Sequence, residues 1–389
     1  MTYNLNNNNN NRPPPPGLDL LRLCPSRIPR RAFCFKTLII KSTKIMETTA
    51  TKHYQALLDV HQTEEGIALI KEIFTRKLSQ NLDLKRVTAP MIVQAGLGIN
   101  DDLNGFEQPV KFTAKGIDSQ KIEIVQSLAK WKRITLWKHS IASGKGIFTD
   151  MNALRPDETP DATHSIYVDQ WDWEKTISKE MRTVDYFRQT VKSIYQAIQQ
   201  TEAAVCQTFA PINPILPDRI HFIHTEELEK MYPLLSAKQR EREICKHYGA
   251  VCIEGIGYPL SSGKPSDGRA PDYDDWSTPR PDGYRGLNGD ILVWHPTLDD
   301  ALELSSMGIR VDKSALELQL ELHNLEHRKE LYFHKTLLEG KLPLSIGGGI
   351  GQSRLCMFLL RKAHIGEVQS SVWPTSVIEN CKQMGVKLL

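Results

Sequence analysis

Strand-like segments follow one another in this chain with only loops between them, and that order restricts the fold more than any other feature. GIFTDMNALRP (146–156) leads through a polar turn begun by Pro156 and Asp157 into HSIYVDQWDWE (164–174). GDILVWHP (289–296) leads likewise into ALELSSMGIRVD (301–312). Further β segments are KRVTAPMIV around Pro90, KIEIVQS (121–127) and the glycine-bearing LPLSIGGGIG (342–351). Strands joined directly pair antiparallel, since a parallel pair needs a long crossover. With helices between and beside them, the expected fold is α+β: a mostly antiparallel sheet flanked by helices.

The helices are legible from apolar spacing. Thr63 with Glu64 and Glu65 suits a helix start, and Ile67, Ile70, Phe74 and Leu78 recur at helical intervals. A long amphipathic helix is expected over about 185–208, with Phe187, Val191, Ile194, Ile198 and Val205 on one face. Ser236 and Gln239 form a capping box for a helix ending near Gly249. SALE (314–317) reads as the cap of a helix running to about Gly340, and SRLCMFLL (353–360) as an apolar helix. Residues 258–288, dense in Gly, Pro, Ser and Asp, read as one long loop, and such loops serve as lids or binding loops. No repeat is visible, so 56–389 is expected to be one domain.

The net charge of +3 misleads, because residues 1–45 hold eight Lys/Arg against Asp19 alone. The rest of the chain keeps 41 basic and 45 acidic residues, and a body so charged has no footprint for nucleic-acid binding. Six asparagines (6–11), four prolines (13–16) and an Arg-rich, acid-poor stretch make 1–45 a disordered, low-complexity extension. It is either an organelle transit segment or a consequence of start-site choice, since Met46 opens an ordinary polar N-terminus. No run of about 18 apolar residues predicts a membrane span. Seven scattered cysteines without a CxxC pair suggest a reduced intracellular compartment, cytoplasmic unless the extension is a transit segment.

Several constellations carry chemistry. GGGIGQSR has Gly349 and Gly351 followed by Arg354 where a dinucleotide fingerprint has its third glycine. Glycines let backbone approach a planar ligand, and an arginine on the first helical turn reaches a polyphosphate; a tight turn with a surface arginine is the bland alternative. Residues 257–264 resemble a P-loop one residue too long, with Pro265 where Ser or Thr must hold magnesium. Arg155, at the mouth of a hairpin, can clamp an α-phosphate bidentately. On the return strand Gln170 and Asp172 share a face, with Trp171 and Trp173 opposite. Core packing explains the tryptophans and leaves the other two unexplained.

Asp290 and Glu303 lie on consecutive strands and can hold magnesium against ATP phosphates, unless they are edge-strand charges. Ser306 and Arg310 share one face, but Glu303 has the other parity, so a bulge is required if all three meet one ligand. Asp272, Asp274 and Asp275 read by default as solvated loop acids. In AKWKR (129–133), Lys130, Lys132 or Arg133 can bind a substrate carboxylate, although most such side chains are simply exposed. His323 and His327, four apart, read as a solvated helix face without a third metal ligand.

SLAKWKR, ALRPDE, YVDQWDWE, RAPDYDDWSTP, GLNGDILVW, ELSSMGIR and GGGIGQSR occur in this order. From about Ala56 onward the chain thereby resembles asparagine synthetase A, the aspartate–ammonia ligase family. The resemblance implies the class II aminoacyl-tRNA synthetase-like catalytic fold and a homodimer formed through the Pro90 segment. It implies that Arg155 and Arg354 bind ATP phosphates, with Gly349 and Gly351 beside the nucleotide. Asp290 and Glu303 would lie near ATP and Mg2+, while Asp101, Lys132, Gln170, Asp172, Ser306 and Arg310 would line the aspartate pocket. Asp274 is assigned to the reactive end, near ammonia; Arg155, Lys132 and Asp274 are the expected catalytic residues. The implied reaction makes asparagine from aspartate, ATP and ammonia through a β-aspartyl-adenylate, releasing AMP and pyrophosphate. With no visible amidotransferase domain, ammonia rather than glutamine is the expected nitrogen source. The rival readings are an aspartyl- or asparaginyl-tRNA synthetase and a non-catalytic paralogue.

Overall fold

Eight strands form one sheet with one apolar face and a second face that is polar in its middle and apolar toward either side. The computed structural model describes residues 54–389 except 102, 104–106, 118 and 119; the expected extension over 1–45 lies outside the described residues. In chain order the elements are α1 (Val60–Leu82), β1 (Leu84–Arg86), β2 (Ile92–Gln94), β3 (Lys111–Phe112), β4 (Ile122–Ile124), α2 (Ala129–Lys138), β5 (Gly146–Leu154) and β6 (Tyr167–Thr176). Next come α3 (Val184–Thr208), β7 (His221–His224), α4 (Thr225–Met231), α5 (Ala237–Tyr248) and β8 (Ala250–Glu254). After the long loop follow β9 (Asn288–His295), β10 (Asp300–Ile309), α6 (Lys313–Leu322), α7 (Tyr332–Leu338), β11 (Ser345–Gly351), α8 (Gln352–Leu359) and α9 (Thr375–Met384). The large sheet has the order β1-β5-β6-β11-β10-β9-β8-β7, and β2-β4-β3 make a small second sheet. Only the edge pairs β1–β5 and β7–β8 run parallel; the other pairs are antiparallel, as the direct strand connections require.

The two-residue period of the strands decides what each face does. Trp171, Trp173, Ile291, Val293, Met307, Ile309, Ile346 and Ile350 enter one core with α1, α3 and α8. Phe74 of α1 tilts against Trp171 at 4.5 Å between ring centroids, and burying such a ring contributes roughly 1.5–3 kcal/mol. The alternate residues (Gln170, Asp172, Ser306, Gly349) face the other way. The strong apolar signal of one face therefore holds the sheet while the middle of the other is free to be polar.

Some local expectations shift. The first helix begins at Val60 rather than Thr63, because Asp59 and Gln62 complete a capping box: Gln62 N donates to Asp59 Oδ1 at 2.9 Å. The capping box of Ser236 and Gln239 forms as read, and α5 ends at Gly249. The helix expected from SALE to Gly340 is broken. Asp312, not Ser314, caps it, accepting from Ala315 N at 2.9 Å. It stops at Leu322 because Asn324 takes the left-handed conformation (φ 56°), which asparagine tolerates better than most residues. A 3-10 turn, Glu326–Glu330, then separates α6 from α7. His323 and His327 consequently share no helix face, although both are exposed.

Candidate active site

A cleft of about 460 Å³ opens over the polar face where β6, β11 and β10 adjoin. Arg155, Gln170, Glu303, Ser306, Gly349, Gly351 and Arg354 all line it. The backbone explains the convergence. Gly351 is paired with Gln170, Gly349 with Asp172, and Gly347 with Glu174, all on one face. Ser306 lies opposite Gly349 on one side and Asp290 on the other. Pairing with β9 slips between Glu303 and Ser305, the bulge that parity demanded. It turns Glu303 to the face of Asp290 and Ser306.

The glycines have a different first duty from the one expected. A Cβ on Gly349 would lie 2.9 Å from Gln170 Cδ and 3.1 Å from Asp172 Oδ1, and one on Gly347 would lie 2.7 Å from Arg310 Nη2. Their missing side chains make room for the polar side chains of β6 and β10, and that space forms the floor of the cleft.

Adjoining the floor lies a buried ion-pair network. Lys132 pairs with Asp172 and donates to Gly348 O at 2.9 Å. Arg310 Nη2 donates to Glu174 Oε2 at 2.8 Å, while Nη1 pairs with Asp274. Burial lowers the Lys132 pKa against the pull of Asp172. Burial also works against the Arg310 charge, but Glu174 and Asp274 outweigh it and raise its pKa. Burial raises Asp274 despite Arg310. Lys132, Asp172, Arg310 and Asp274 are 1–4 % exposed and adjoin the floor, whereas Gln170 and Ser306 line the cleft itself. Asp101 is placed differently: it borders a second cavity of about 290 Å³ and lies 3.4 Å from Lys130 Nζ.

Two bland defaults are corrected. Asp272, Asp274 and Asp275 are 0–1 % exposed instead of solvated. Each has a cationic partner that offsets the cost of burial: Lys130 and Arg328 for Asp272, Arg310 for Asp274, Arg182 for Asp275. Likewise Lys130, Lys132 and Arg133 are all buried, because α2 lies on the polar face of the sheet.

The guanidinium groups of Arg155 and Arg354 line the cleft. Arg155 donates from Nε and Nη2 to Gln126 O, both at 3.3 Å. Burial lowers its pKa, and Arg354 nearby adds like-charge repulsion. Arg354 Nη1 donates to Glu303 O at 3.1 Å. Two arginines repelling one another on one cleft wall suit an anion of high charge. Asp290 stands behind Glu303 and pairs with Arg269. Burial raises Asp290 to about 7 against the pull of Arg269, and Glu303 adds to the rise. Burial works against the Glu303 charge, but Arg354 and Arg269 outweigh it and lower its pKa, so Glu303 is the ionised member of the pair; its hard oxygens fit Mg2+, which takes one or two carboxylates with phosphate oxygens. No group of three or more His, Cys, Asp or Glu able to hold a metal occurs among the described residues.

The pattern describing the aspartate–ammonia ligase family matches residues 61–385. The chain belongs to the aspartate–ammonia ligase family. It is 54% identical over 338 residues to the aspartate–ammonia ligase of Bacteroides thetaiotaomicron, covering 87% of this chain and 98% of that one. It is 55% identical to that of Parabacteroides distasonis (86% and 97% covered) and 52% to that of Clostridium perfringens (87% and 98%). Among solved structures, the asparaginyl-tRNA synthetase of Pyrococcus horikoshii complexed with asparaginyl-adenylate matches with TM-score 0.59 at 14% identity, covering 80% of this chain and 70% of that one. The aspartyl-tRNA synthetase of Entamoeba histolytica matches with TM-score 0.55 at 12% identity, covering 79% and 57%. At such identities the likeness establishes the fold, that of class II aminoacyl-tRNA synthetases.

In this member of the ligase family the cleft also has lining residues that sequence reasoning missed. Gln126, Arg269 and Tyr273 line the cleft, and the Gln126 side chain is fully buried without a hydrogen-bond partner among the described residues. Glu174 completes the polar ladder of β6. Extending the two-residue period from Gln170 and Asp172 would have found Glu174; no local signal marks Gln126.

Proposed function

We propose that this chain makes L-asparagine from L-aspartate and ammonia, using ATP and passing through a β-aspartyl-adenylate. One observation carries the reading: Arg155 and Arg354 share a cleft whose floor continues through Gln170, Ser306 and Gly349 onto the ion pairs of Lys132, Asp172 and Arg310. A polyphosphate and a dicarboxylate fit end to end along it. The β-carboxylate oxygen of aspartate attacks the α-phosphorus of ATP, and pyrophosphate leaves. Arg155 and Arg354 offset the charge that builds up on the phosphate. Ammonia then attacks the acyl carbon, and AMP leaves with the bonding electron pair.

Ammonium must lose a proton before it attacks. Asp274, whose affinity for protons is raised by burial, is assigned as the nearby base. Glu303, backed by Asp290, would hold Mg2+, which when bound supplies further charge neutralisation at the phosphates. Lys132, Gln170, Asp172, Ser306 and Arg310 are assigned to aspartate, with Asp101 at its margin.

The reading takes 56–389 as the catalytic domain and the substrates as small molecules, with no nucleic acid. It takes the working form as a homodimer through the Pro90 segment, where Met91 and Ile92 are 55 % and 45 % exposed. A cytoplasmic compartment is proposed from the five free cysteines among the described residues. No helix of the described residues is long and apolar enough to cross a membrane.

The test is one assay containing ATP, Mg2+ and aspartate, with and without ammonium, scoring asparagine, AMP and pyrophosphate. Stoichiometric asparagine, AMP and pyrophosphate are expected only with ammonium. Aspartate transfer to tRNA with no asparagine formed would overturn the assignment.

A further inference from the structure

Glu174 occupies the last site-facing position of β6 before Thr176, two residues beyond Asp172, and is 0 % exposed. Both of its carboxylate oxygens face one guanidinium. Arg310 Nε donates to Oε1 at 3.0 Å and to Oε2 at 3.1 Å, and Nη2 donates to Oε2 at 2.8 Å. The opposite position in β11 is Gly347, and any side chain there would collide with this fork. A glycine of β11, a carboxylate of β6 and the arginine that follows β10 are thus committed to one bidentate pair.

Hydrogen bonding alone does not need a charge here, since an amide of the same shape can also accept. What a carboxylate adds is a planar two-point grip that fixes the guanidinium in orientation. Attraction to Arg310 outweighs the cost of burial and lowers the Glu174 pKa, so the grip is ionised. Asp274 takes Nη1 from the other side. A guanidinium carries five N–H donors, so N–H groups remain for a ligand once these partners are served.

We propose that Glu174 is a positioning residue: it never meets substrate, but sets the plane in which Arg310 presents its remaining donors to a carboxylate of aspartate. This inference rests on the assignment of Arg310 to the aspartate pocket. Because the orientation matters at the aspartate end and not at the nucleotide end, its loss separates the two substrates kinetically.

The experiment compares Glu174→Gln and Glu174→Asp with the unaltered protein. It reads KM for aspartate, KM for ATP, aspartate binding by calorimetry and the thermal midpoint. Replacing a charge-assisted fork by a neutral contact should raise aspartate KM by about 10–100-fold, with ATP KM within about twofold of the unaltered value by the same argument. Glu174→Asp, which keeps the charge on a shorter stem, should recover part of the aspartate affinity. An unchanged aspartate KM in folded Glu174→Gln, or equal rises for both substrates, overturns the proposal. If Glu174→Gln does not fold, Glu174→Asp decides: a folded protein with unaltered aspartate affinity overturns it, and a selective loss supports it. Should the unaltered protein form no asparagine, the site assignment fails instead, and calorimetry still reports whether Glu174 governs aspartate binding.

Discussion

Glu303 and Ser306 face the same side of the sheet although three positions separate them, because the pairing of β10 with β9 slips between Glu303 and Ser305. The bulge puts the Glu303 carboxylate and the Ser306 hydroxyl on one wall of the cleft. Glu303 is the cleft-lining member of its pair with Asp290, so Glu303→Gln should raise the Mg2+ concentration for half-maximal activity by about 10–100-fold. A magnesium titration at saturating ATP and aspartate measures this; an unmoved midpoint would remove Glu303 from the metal.

Among the described residues, the Arg155 side chain hydrogen-bonds to a single backbone carbonyl, that of Gln126. Few structural contacts depend on it, so its charge is available for ligand. Arg155→Ala is expected to lower kcat by roughly 10²–10³ while circular dichroism and the thermal midpoint stay close to those of the unaltered protein. Near-normal turnover would refute the phosphate assignment.

Gly347 and Gly349 differ in what surrounds them. Glu174 at Gly347 is clamped by Arg310 and cannot turn aside, whereas the amide end of Gln170 at Gly349 can rotate. Gly347→Ala should therefore cost about 1–3 kcal/mol of stability, and Gly349→Ala distinctly less, with a raised aspartate KM as its main effect. Urea unfolding of both variants checks the order, and equal losses would contradict it.

Burial and the neighbouring Glu303 raise Asp290 from the ordinary 3.8 to about 7. A carboxyl group whose pKa is raised by folding stabilises most below its unfolded pKa and loses that contribution as pH climbs through the folded value. Stability of the ligand-free protein should thus contain a component that declines between pH 4 and 7 and is flat above. In Asp290→Asn this component should vanish. Urea midpoints at several pH values, compared between the two proteins, measure it; identical pH profiles would show that Asp290 does not hold a proton there.

The sequence by itself determined that the sheet is mostly antiparallel and which polar residues of a strand share a face. Alternation placed Gln170 and Asp172 on one face and the two tryptophans on the other, helical spacing located α1 and α3, and parity asked for a bulge beside Glu303 if it was to share a ligand with Ser306 and Arg310. These are local properties, set by the geometry of a few neighbouring residues. Only tertiary structure decided the burial of Lys132, Asp272, Asp274 and Arg310, and the role of Gly347. A charged side chain can be buried only where opposite charge or hydrogen-bond acceptors from elsewhere in the chain meet it. The partners lie far apart in the chain, Glu174 from Arg310 and Lys130 from Asp272, and no window of sequence holds both. The same holds for Gly347, whose missing side chain has meaning only beside the fork of Glu174 and Arg310.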